Sequence, residues 1–393
     1  MRLEAKIRRH ATALGFSACG FAAALPLDRG AFLEGWLDAG FAGEMRYLER
    51  RAQRRLSIAD TLRDARTVVT LAHPYDPPPP VPIDWRHELR GRIAAYALGE
   101  DYHRVLERKL AALEAFIIAQ APRTHTRRYV DTGAVLEREW AMRGGLGWFG
   151  KNTMLLSTRT GSWFFLAELV TTLALTPDSP AVTHCGRCTR CRDSCPTGAL
   201  RDDIVMDARL CISYLTIEHR GAIPPVLRPK LGPWVFGCDV CQQVCPWNGT
   251  ERPGTLADER AATGRHAAGA HSPDNERDRA GTEWLNPHLP TLLTLDEPGF
   301  RSRFAASPVA RAKRRGLLRN VAVALGNTAN QAAIPALAGA LRDPEPLVRG
   351  HAAWALGAIG GRAARHALER HRCREHDPFV VAEIAAALEA RTA

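Results

Sequence analysis

The chain has 393 residues, of which 46% are hydrophobic, so it is long enough for two or three domains with substantial cores. Its net charge of +11 favours a polyanionic partner such as nucleic acid, although an arginine-rich composition without any anionic partner would give the same charge. No apolar run approaches the roughly 20 residues of a membrane helix, and the charged N-terminus lacks the apolar centre of a secretion signal, so we expect a cytoplasmic protein that does not enter a membrane.

The N-terminal part of the chain mixes predicted helices and strands. Residues 1–14 favour a helix, and residues 16–24 and 67–72 are apolar or β-branched, as expected for strands. Apolar residues between positions 102 and 117 recur at helical spacing, and residues 163–175 are apolar enough for a buried strand. Because the elements do not alternate as in a βαβ fold, this part predicts a mixed α/β or α+β domain.

A short acidic motif follows an apolar pair of residues. Asp131-Thr132-Gly133 comes directly after Tyr129 and Val130. A carboxyl group at the end of a strand, in a partly apolar pocket, has a raised pKa and suits a general acid near neutral pH. Asp and Gly also build ordinary turns, so the tripeptide alone favours a turn.

Residues 144–153, GGLGWFGKNT, form an unusual glycine-rich segment. Four glycines would let the backbone lie close against a large flat ligand. Trp148 and Phe149 could cover such a ligand, and Lys151 with Asn152 could bind its polar groups. The alternative is a loop packed on its own protein. The segment does not match G-x-x-x-x-G-K-[ST], which excludes a nucleoside triphosphate site of that type.

The most specific pattern is formed by cysteines. The chain has C-x2-C-x2-C-x3-C-P at residues 185–195 and C-x2-C-x3-C-P at residues 238–245, with Cys211 between them. The first spacing is typical of bacterial ferredoxins, in which the cysteine before the proline binds the other of two clusters. Applied to this chain, that rule predicts two 4Fe–4S clusters. Their ligands would be Cys185, Cys188, Cys191 and Cys245 for the first, and Cys195, Cys211, Cys238 and Cys241 for the second.

Zinc sites and disulfides fit the cysteine pattern less well. Zinc sites also use C-x2-C, but three cysteines at successive x2 spacing followed by C-P suit zinc poorly. Disulfides are rare in the reducing compartment that we expect for this chain. Cys19 and Cys373 stand apart from the two sets, and we expect both to be buried as small hydrophobic residues.

The last third of the chain is different in character. Residues 251–283 are polar and favour a flexible insertion. Further on, Ala-Leu-Gly at 324–326 recurs at 355–357, and this offset of about 31 residues predicts a helical-pair repeat of HEAT type. An ordinary helical cap whose alanines happen to align is the alternative.

Together these motifs resemble the epoxyqueuosine reductase family over nearly the whole chain. The resemblance is carried by GEDYH, YVDTG, GLGWFGKNT, CGRCTRCRDSCPTGAL, CISYLT, GCDVCQQVCPWN and the helical tail. It implies reduction of epoxyqueuosine to queuosine at the wobble position of certain tRNAs. It also implies an α+β fold similar to reductive dehalogenases: a cobalamin-binding, nitroreductase-like domain (1–180), a two-cluster ferredoxin-like module (181–250), a linker (251–290) and HEAT-like helices (291–393).

The resemblance also implies roles for single residues. Asp131 matches the family's proton donor. The segments that resemble the family's cobalamin pocket contain Arg55, Asp131, Lys151, Asn152, Leu155, Leu166 and Ser213. The chain has no D-x-H-x-x-G motif, which agrees with base-off cobalamin whose lower face has no protein ligand. Ala94 stands where a family member has a cysteine.

The partners implied are a tRNA carrying epoxyqueuosine and an external electron donor, and we expect a monomer. A basic stretch at the start of the first repeat is a candidate for tRNA binding, because neighbouring turns of a helix share a face that can follow a phosphate backbone. It comprises Arg311, Lys313, Arg314, Arg315 and Arg319. A solvated charged helix is the alternative.

Two different functions remain compatible with the sequence. A cobalamin-dependent reductive dehalogenase usually carries a twin-arginine export signal, which this chain lacks. A tRNA-binding scaffold with structural clusters would leave the glycine-rich segment and its lysine without a purpose.

Overall fold

The computed structural model describes residues 1–27, 29–75, 77, 83–201, 204–249 and 284–389. The predicted insertion at 251–283 lies outside the described residues. The chain forms two compact units, each built from separate stretches: residues 1–77, 100–208 and 240–274 form the first, and residues 78–99, 209–239 and 275–393 the second. These units do not coincide with the contiguous domains expected from the sequence, whose boundaries stay predictions.

The first unit is built on a four-stranded sheet. Its strands are β1 (Ala18–Ala23), β2 (Thr67–Pro74), β4 (Thr126–Tyr129) and β7 (Phe164–Thr171), in the order β1-β2-β7-β4. All three pairings are antiparallel. The strands expected at 16–24, 67–72 and 163–175 are therefore confirmed, with small shifts in their ends.

Helices cover both faces of this sheet. Val69 and Leu71 of β2 pack with α1 (Leu3–Ala13) and α5 (Tyr102–Gln120). Val68, on the opposite face, packs with Trp140 of α6 (Glu137–Arg143). Because side chains alternate between the faces of a strand, burial on both sides explains why β2 and β7 carry apolar residues on both faces.

The remaining elements of the first unit are short. They are the helices α2 (Gly30–Asp38), α3 (Arg46–Glu49), α4 (Ala52–Leu56), α7 (Arg190–Asp193) and α9 (Val240–Gln243), and the hairpin strands β5 (Trp148–Phe149) and β6 (Leu155–Leu156). The glycine-rich segment includes β5 and ends just before β6. A Cβ on Gly147 would lie 2.1 Å from the carbonyl oxygen of Leu156. That glycine therefore serves packing on the protein itself, which favours the second interpretation of the segment.

The second unit is mainly helical. Its elements are β3 (Arg92–Ile93), α8 (Ile212–Ile217), β8 (Trp234–Phe236), α10 (Leu289–Leu293), α11 (Glu297–Phe304), α12 (Lys313–Thr328), α13 (Ile334–Ala340), α14 (Pro346–Ile359), α15 (Arg362–Arg372) and α16 (Pro378–Glu389). Strands β3 and β8 pair in parallel. Among the residues described, none of the helices combines the length and the apolar character needed to span a bilayer.

The repeated Ala-Leu-Gly sequence marks equivalent contacts between helices. Gly326 of α12 faces α14, where an added Cβ would lie 2.9 Å from the Cα of Ala355. Gly357 of α14 faces α16, where an added Cβ would lie 2.9 Å from the Cα of Ala387. The repeat that the sequence predicted is thus a stack of helices in which glycine permits the closest approach of each successive pair.

The basic stretch at the start of α12 does not form one exposed face. Arg319 is fully buried, and its guanidinium donates hydrogen bonds to the carbonyl oxygens of Leu215 (2.6 Å), His219 (2.8 Å) and Gly221 (2.7 Å). Arg314 is also buried, where it pairs with Asp343. These two arginines therefore correct the expectation of a shared tRNA-binding face, because buried guanidinium groups cannot meet a phosphate backbone.

The other three members of the stretch are exposed. Lys313 and Arg315 lie on the surface, and Arg311 forms an ion pair with Glu218, with a nitrogen–oxygen distance of 2.9 Å. Arg314 and Arg319 differ from these three residues because most of the surface of α12 is covered by other elements. The positions of the charged residues in the sequence do not reveal which side of such a helix faces water.

Replacement of Arg319 by leucine should destabilise the protein by about 3 kcal/mol or more, because one buried and two partly buried carbonyl groups would lose their donor. Urea unfolding measures this loss. The matched control is Arg315→Leu in the same helix, which should change the free energy of unfolding by less than about 0.5 kcal/mol because it is exposed. Equal stability of the two variants would contradict the structural role of Arg319.

Candidate active site

Asp131 lies in the loop that follows β4. Its backbone is in the left-handed region, with φ of 56°, and 60% of its side-chain surface is exposed. The partly apolar pocket expected from the sequence is therefore not observed around the carboxylate. Instead, Oδ2 accepts a hydrogen bond of 2.8 Å from the hydroxyl of Tyr102, at the start of α5. The site presents this carboxylate to solvent and to anything bound there.

His103 connects Asp131 to a second carboxylate. Its Nε2 lies 3.4 Å from Oδ2 of Asp131, and its Nδ1 lies 2.7 Å from Oδ1 of Asp101. Asp101 also caps α5 by accepting the backbone N–H of His103. Burial lowers the pKa of His103, but hydrogen bonds with Asp131 and Asp101 outweigh burial and raise it. A protonated imidazole donates to Asp101 from Nδ1, while Nε2, which has no hydrogen-bond partner within the described residues, needs only a small movement to donate to Asp131. The three groups therefore outline a path for a proton.

A pair of glutamates lies next to the same loop. Glu137, at the start of α6, accepts the backbone N–H of Asp131, and its carboxyl group contacts that of Glu168 in β7. Burial and the neighbouring charge of Asp131 raise the pKa of Glu137 to about 7. Burial and the charge of Glu137 raise the pKa of Glu168 well above its ordinary value.

Arg55 of α4 holds the other side of the loop. The residue is buried, and its Nη1 donates a hydrogen bond of 3.1 Å to the carbonyl oxygen of Gly133. Burial lowers the pKa of this guanidinium. Its Nε is buried without a hydrogen-bond acceptor in the part of the chain that the structure describes. Such an orphaned donor marks a place where a bound polar group would fit.

The other residues expected at a cobalamin site are distributed more widely. Lys151 donates to the carbonyl oxygens of Gly186 (2.7 Å) and Cys188 (3.0 Å), so it anchors the first cysteine loop. Asn152 is buried and accepts the backbone N–H of Met154. Leu155 is buried in the core of the first unit, and Leu166 is partly buried there. None of these contacts tests a role toward a cofactor.

The structure brings the first predicted cluster set together. A cavity of about 140 Å³ is lined by Cys185, Cys188, Cys191 and Cys245. Burial and the neighbouring thiols raise the pKa of Cys191 and Cys245. Within the described residues, no group of three or more His, Cys, Asp or Glu side chains is arranged to hold a single metal ion. The four thiols surround a space, as the ligands of a polynuclear cluster must, because each binds a different iron.

The second predicted set is divided between the units. Cys195 and Cys241 belong to the first unit, and Cys211 and Cys238 to the second, so this set stays a prediction. Although burial raises the pKa of Cys195, hydrogen bonds from Thr197 and from backbone amides lower it overall, which favours the thiolate that metals bind. Ser213 and Ala94 also lie in the second unit, with Ala94 buried.

The two separate cysteines differ from each other. Burial raises the pKa of Cys19 to about 12, as expected for a thiol used as a small apolar group. Cys373 is exposed at the end of α15, so its expected burial was wrong. Cys373 is exposed because it lies at the C-terminal end of the helix, although cysteine is usually a buried residue type.

Several site residues were not singled out from the sequence. Tyr102 and His103 lie in GEDYH, which entered only as part of the family resemblance. Glu168 had a clearer signal, because it is the one charged residue within the apolar run at 163–175. Glu137 had none, since acidic residues are common in the first turn of a helix.

Three family models match this chain. Residues 55–132 match "Epoxyqueuosine reductase QueG, DUF1730", residues 184–248 match "4Fe-4S double cluster binding domain", and residues 309–389 match "HEAT repeats". The second match supports iron–sulfur clusters over zinc for the cysteine module. The third confirms the predicted repeats.

Curated relatives and solved structures extend the similarity to the whole chain. Epoxyqueuosine reductases of Xanthomonas campestris and Pseudomonas aeruginosa are each 38% identical over 91% of this chain, and 96% and 95% of their own lengths are covered. A structure of the Bacillus subtilis epoxyqueuosine reductase, with its catalytic aspartate loop swung out of the active site, matches with a TM-score of 0.87 and 30% identity. The match covers 99% of this chain and 98% of the Bacillus subtilis chain. A structure of an epoxyqueuosine reductase with an epoxyqueuosine-modified tRNA-Tyr stem loop matches with a TM-score of 0.86 and 31% identity. The match covers 100% of this chain and 99% of that structure's chain. With this identity over nearly its full length, the chain belongs to the epoxyqueuosine reductase family.

Proposed function

We propose that this protein is an oxidoreductase that converts epoxyqueuosine to queuosine in tRNA. The conversion of an epoxide to an alkene takes up two electrons and two protons and releases one water. The observation that carries the proposal is the exposed carboxylate of Asp131, which is held between Tyr102 and His103 at the head of a proton path. Family membership supports the substrate.

Asp131 is the proton donor in this proposal. When protonated, its carboxyl group donates to the epoxide oxygen as the carbon–oxygen bond breaks, and the oxygen leaves as water after a second proton. His103 then returns a proton to Asp131, because its raised pKa keeps a fraction of the imidazole protonated near neutral pH. Since the corresponding loop moves in the Bacillus subtilis relative, we infer that the Asp131 loop also opens and closes.

The electrons enter through the cysteine module. The cavity lined by Cys185, Cys188, Cys191 and Cys245 is suited to a 4Fe–4S cluster, and Cys188 is exposed to solvent there. An external one-electron donor could therefore approach this loop directly. We propose Cys195, Cys211, Cys238 and Cys241 as the ligands of the second cluster.

Cobalamin is the cofactor that we propose beside Asp131. When bound, reduced cobalamin supplies a cobalt centre able to transfer electrons to the epoxide carbon. Arg55 fits this proposal because its buried Nε lacks an acceptor within the described residues and its Nη1 fixes the Asp131 loop. Lys151, Asn152, Leu155, Leu166 and Ser213 are proposed as further contacts.

We propose that the exposed part of the basic stretch contacts tRNA. Lys313 and Arg315 remain candidates, together with Arg311 if its ion pair with Glu218 opens. A cytoplasmic location and a monomeric state remain part of the proposal. A reductive dehalogenase is disfavoured by the family membership, and a scaffold without catalysis would not require the network around Asp131.

Replacement of Asp131 by asparagine should lower turnover about 100-fold or more, since an amide cannot donate as an acid. Binding of tRNA should be unchanged. Single-turnover assays with epoxyqueuosine-modified tRNA measure the effect. Asp64→Asn is the matched control, because Asp64 is an exposed aspartate that also has positive φ. Full activity of the Asp131 variant would remove this residue from the mechanism.

Replacement of Cys185 by serine should remove about half of the bound iron, or all of it if both clusters are needed for folding of the module. Iron analysis after anaerobic purification gives the result. Cys373→Ser should retain all iron because Cys373 lies outside both sets. Wild-type iron content in Cys185→Ser would contradict the ligand assignment.

Charge reversal of Lys313 and Arg315 to glutamate should weaken tRNA binding. The slope of the logarithm of the binding constant against the logarithm of salt concentration should become shallower by roughly one to two, because fewer counterions are released. Arg314 is left unchanged, since its buried pair with Asp343 supports the fold. Reversal of the exposed Arg362 and Arg365 changes the net charge equally and is the control. An equal loss of binding in both double variants would indicate a general effect of charge rather than a tRNA-binding face.

A further inference from the structure

Glu168 occupies an unusual position for an ionisable residue. It lies in the middle of β7, opposite Thr70 of β2 and Tyr129 of β4, and is fully buried. Neither of its carboxylate oxygens accepts a hydrogen bond from a donor in the described chain. An isolated ionised carboxylate in such a place is very costly, so the group must be neutralised.

Glu137 is the group that can neutralise it. The two carboxyl groups are in contact. Ionised carboxylates only accept hydrogen bonds, so contact between two of them is repulsive. One added proton turns the same contact into a strong charge-assisted hydrogen bond and leaves a single negative charge on the pair.

The charges around the pair do not remove the need for this proton. Asp131, in the loop after β4, adds a further negative charge and raises the pKa of both glutamates. Arg138, on α6, lowers the pKa of Glu137, and Arg55, on α4, also interacts with Glu137. Both guanidinium groups donate hydrogen bonds elsewhere, Arg138 to the carbonyl oxygen of Thr153 and Arg55 to that of Gly133. The pKa of Glu137 nevertheless stays raised, at about 7.

The same pair also fixes the catalytic loop. Glu137 accepts the backbone N–H of Asp131, whose left-handed conformation is one that few residues other than glycine adopt readily. The orientation of Glu137 depends in turn on its contact with Glu168. A change at Glu168 is therefore transmitted to Asp131 through a single side chain.

We propose that Glu137 and Glu168 share one proton and that this proton holds the Asp131 loop in the conformation in which the N–H of Asp131 bonds to Glu137. The proposal deepens the reductase function stated above and rests on it for its consequence in catalysis. Both glutamates are positioning residues. When the shared proton is lost, two adjacent negative charges repel each other, Glu137 turns away from Glu168, and the N–H of Asp131 loses its acceptor.

The free energy of unfolding should also depend on the protonation of this pair. The pKa of Glu137 in the folded protein is raised from 4.5 to about 7. For an acid whose folded-state pKa is raised, the stabilising effect is complete below the unfolded-state pKa and is lost as the pH rises through the folded-state pKa. The stabilising effect of the pair therefore begins to fall as the pH rises through about 7, where Glu137 loses its proton, and it is lost only as the pH rises through the higher pKa of Glu168, which keeps the shared proton.

The first test uses the full-length protein and needs no activity. Infrared spectra recorded from about pH 5 up to the alkaline limit of the fold should show a protonated carboxyl band that decreases in steps with rising pH, together with a falling melting temperature. In Glu137→Gln and Glu168→Gln the amide can donate to the remaining carboxylate. Both variants should lose the part of the band that belongs to the pair and its share of the pH dependence, whereas the part from Asp239, whose pKa burial raises to about 7, should remain in all three proteins.

The second test follows the loop. At alkaline pH, hydrogen exchange of the amides at 131–133 should be about tenfold faster in the wild type than in Glu168→Gln at the same pH, because only the wild type loses the shared proton. Turnover of the wild type should fall about tenfold per pH unit above the pKa of the pair. In either glutamine variant, this alkaline decrease in the pH–rate profile should begin about one pH unit or more higher. Glu139→Gln, in the same helix, should behave as the wild type, because Glu139 pairs with Arg143 instead.

The outcomes separate this proposal from the proposed function. A wild-type band no larger than that of the single carboxyl of Asp239, measured against Asp239→Asn, would overturn the shared proton, even if both glutamine variants failed to fold. Equal exchange at 131–133 in wild type and Glu168→Gln would overturn the effect on the loop. If the band and the exchange behave as expected but no epoxyqueuosine is reduced, the proton pair stands and the reductase function fails.

Discussion

The burial of Glu168 in strand β7 is the constraint around which the first unit is arranged. The strand lies between β2 and β4 and is covered by helices on both faces, so water cannot solvate a charge there. The only compensation within the described residues comes from α6, through Glu137. The position of α6 fixes the Asp131 loop through the backbone N–H of Asp131, while Arg55 fixes the end of that loop at Gly133. The Asp131 carboxylate is thus exposed, while Glu137 and the buried Arg55 hold its loop in place.

Local patterns in the sequence predicted much of this architecture. The apolar strands, the spacing of α5 and the repeated Ala-Leu-Gly sequence each depend on neighbours along the chain, and the structure contains all three. The grouping of the first set of cysteines around one cavity could also be predicted, because three of the four lie within one short loop and a known rule supplies the fourth. Asp131 stood out because of its motif, and its place at the end of a strand was predicted.

Contacts between distant segments could not be predicted in the same way. The pairing of Glu137 with Glu168 depends on the packing of α6 against the sheet, and nothing in either segment alone indicates it. The basic stretch failed as a surface prediction for a related reason. Charges in a sequence do not show which side of a helix is covered, and the buried Arg319 proved to be a donor to three carbonyl groups. The glycine-rich segment was similar, because a close approach of backbone to Leu156 has the same sequence requirement as a close approach to a ligand.

The two glycines of the helical repeats have a geometric consequence. At Gly326 and Gly357 the backbone of one helix lies against the next with no side chain between them. In stacked repeats, a small rotation between successive units sets the curvature of the whole surface. A methyl group at either position would force two helices apart on one side only, and every later helix would inherit the tilt. The curvature of the face that the repeats present therefore depends on the absence of a side chain at these two positions.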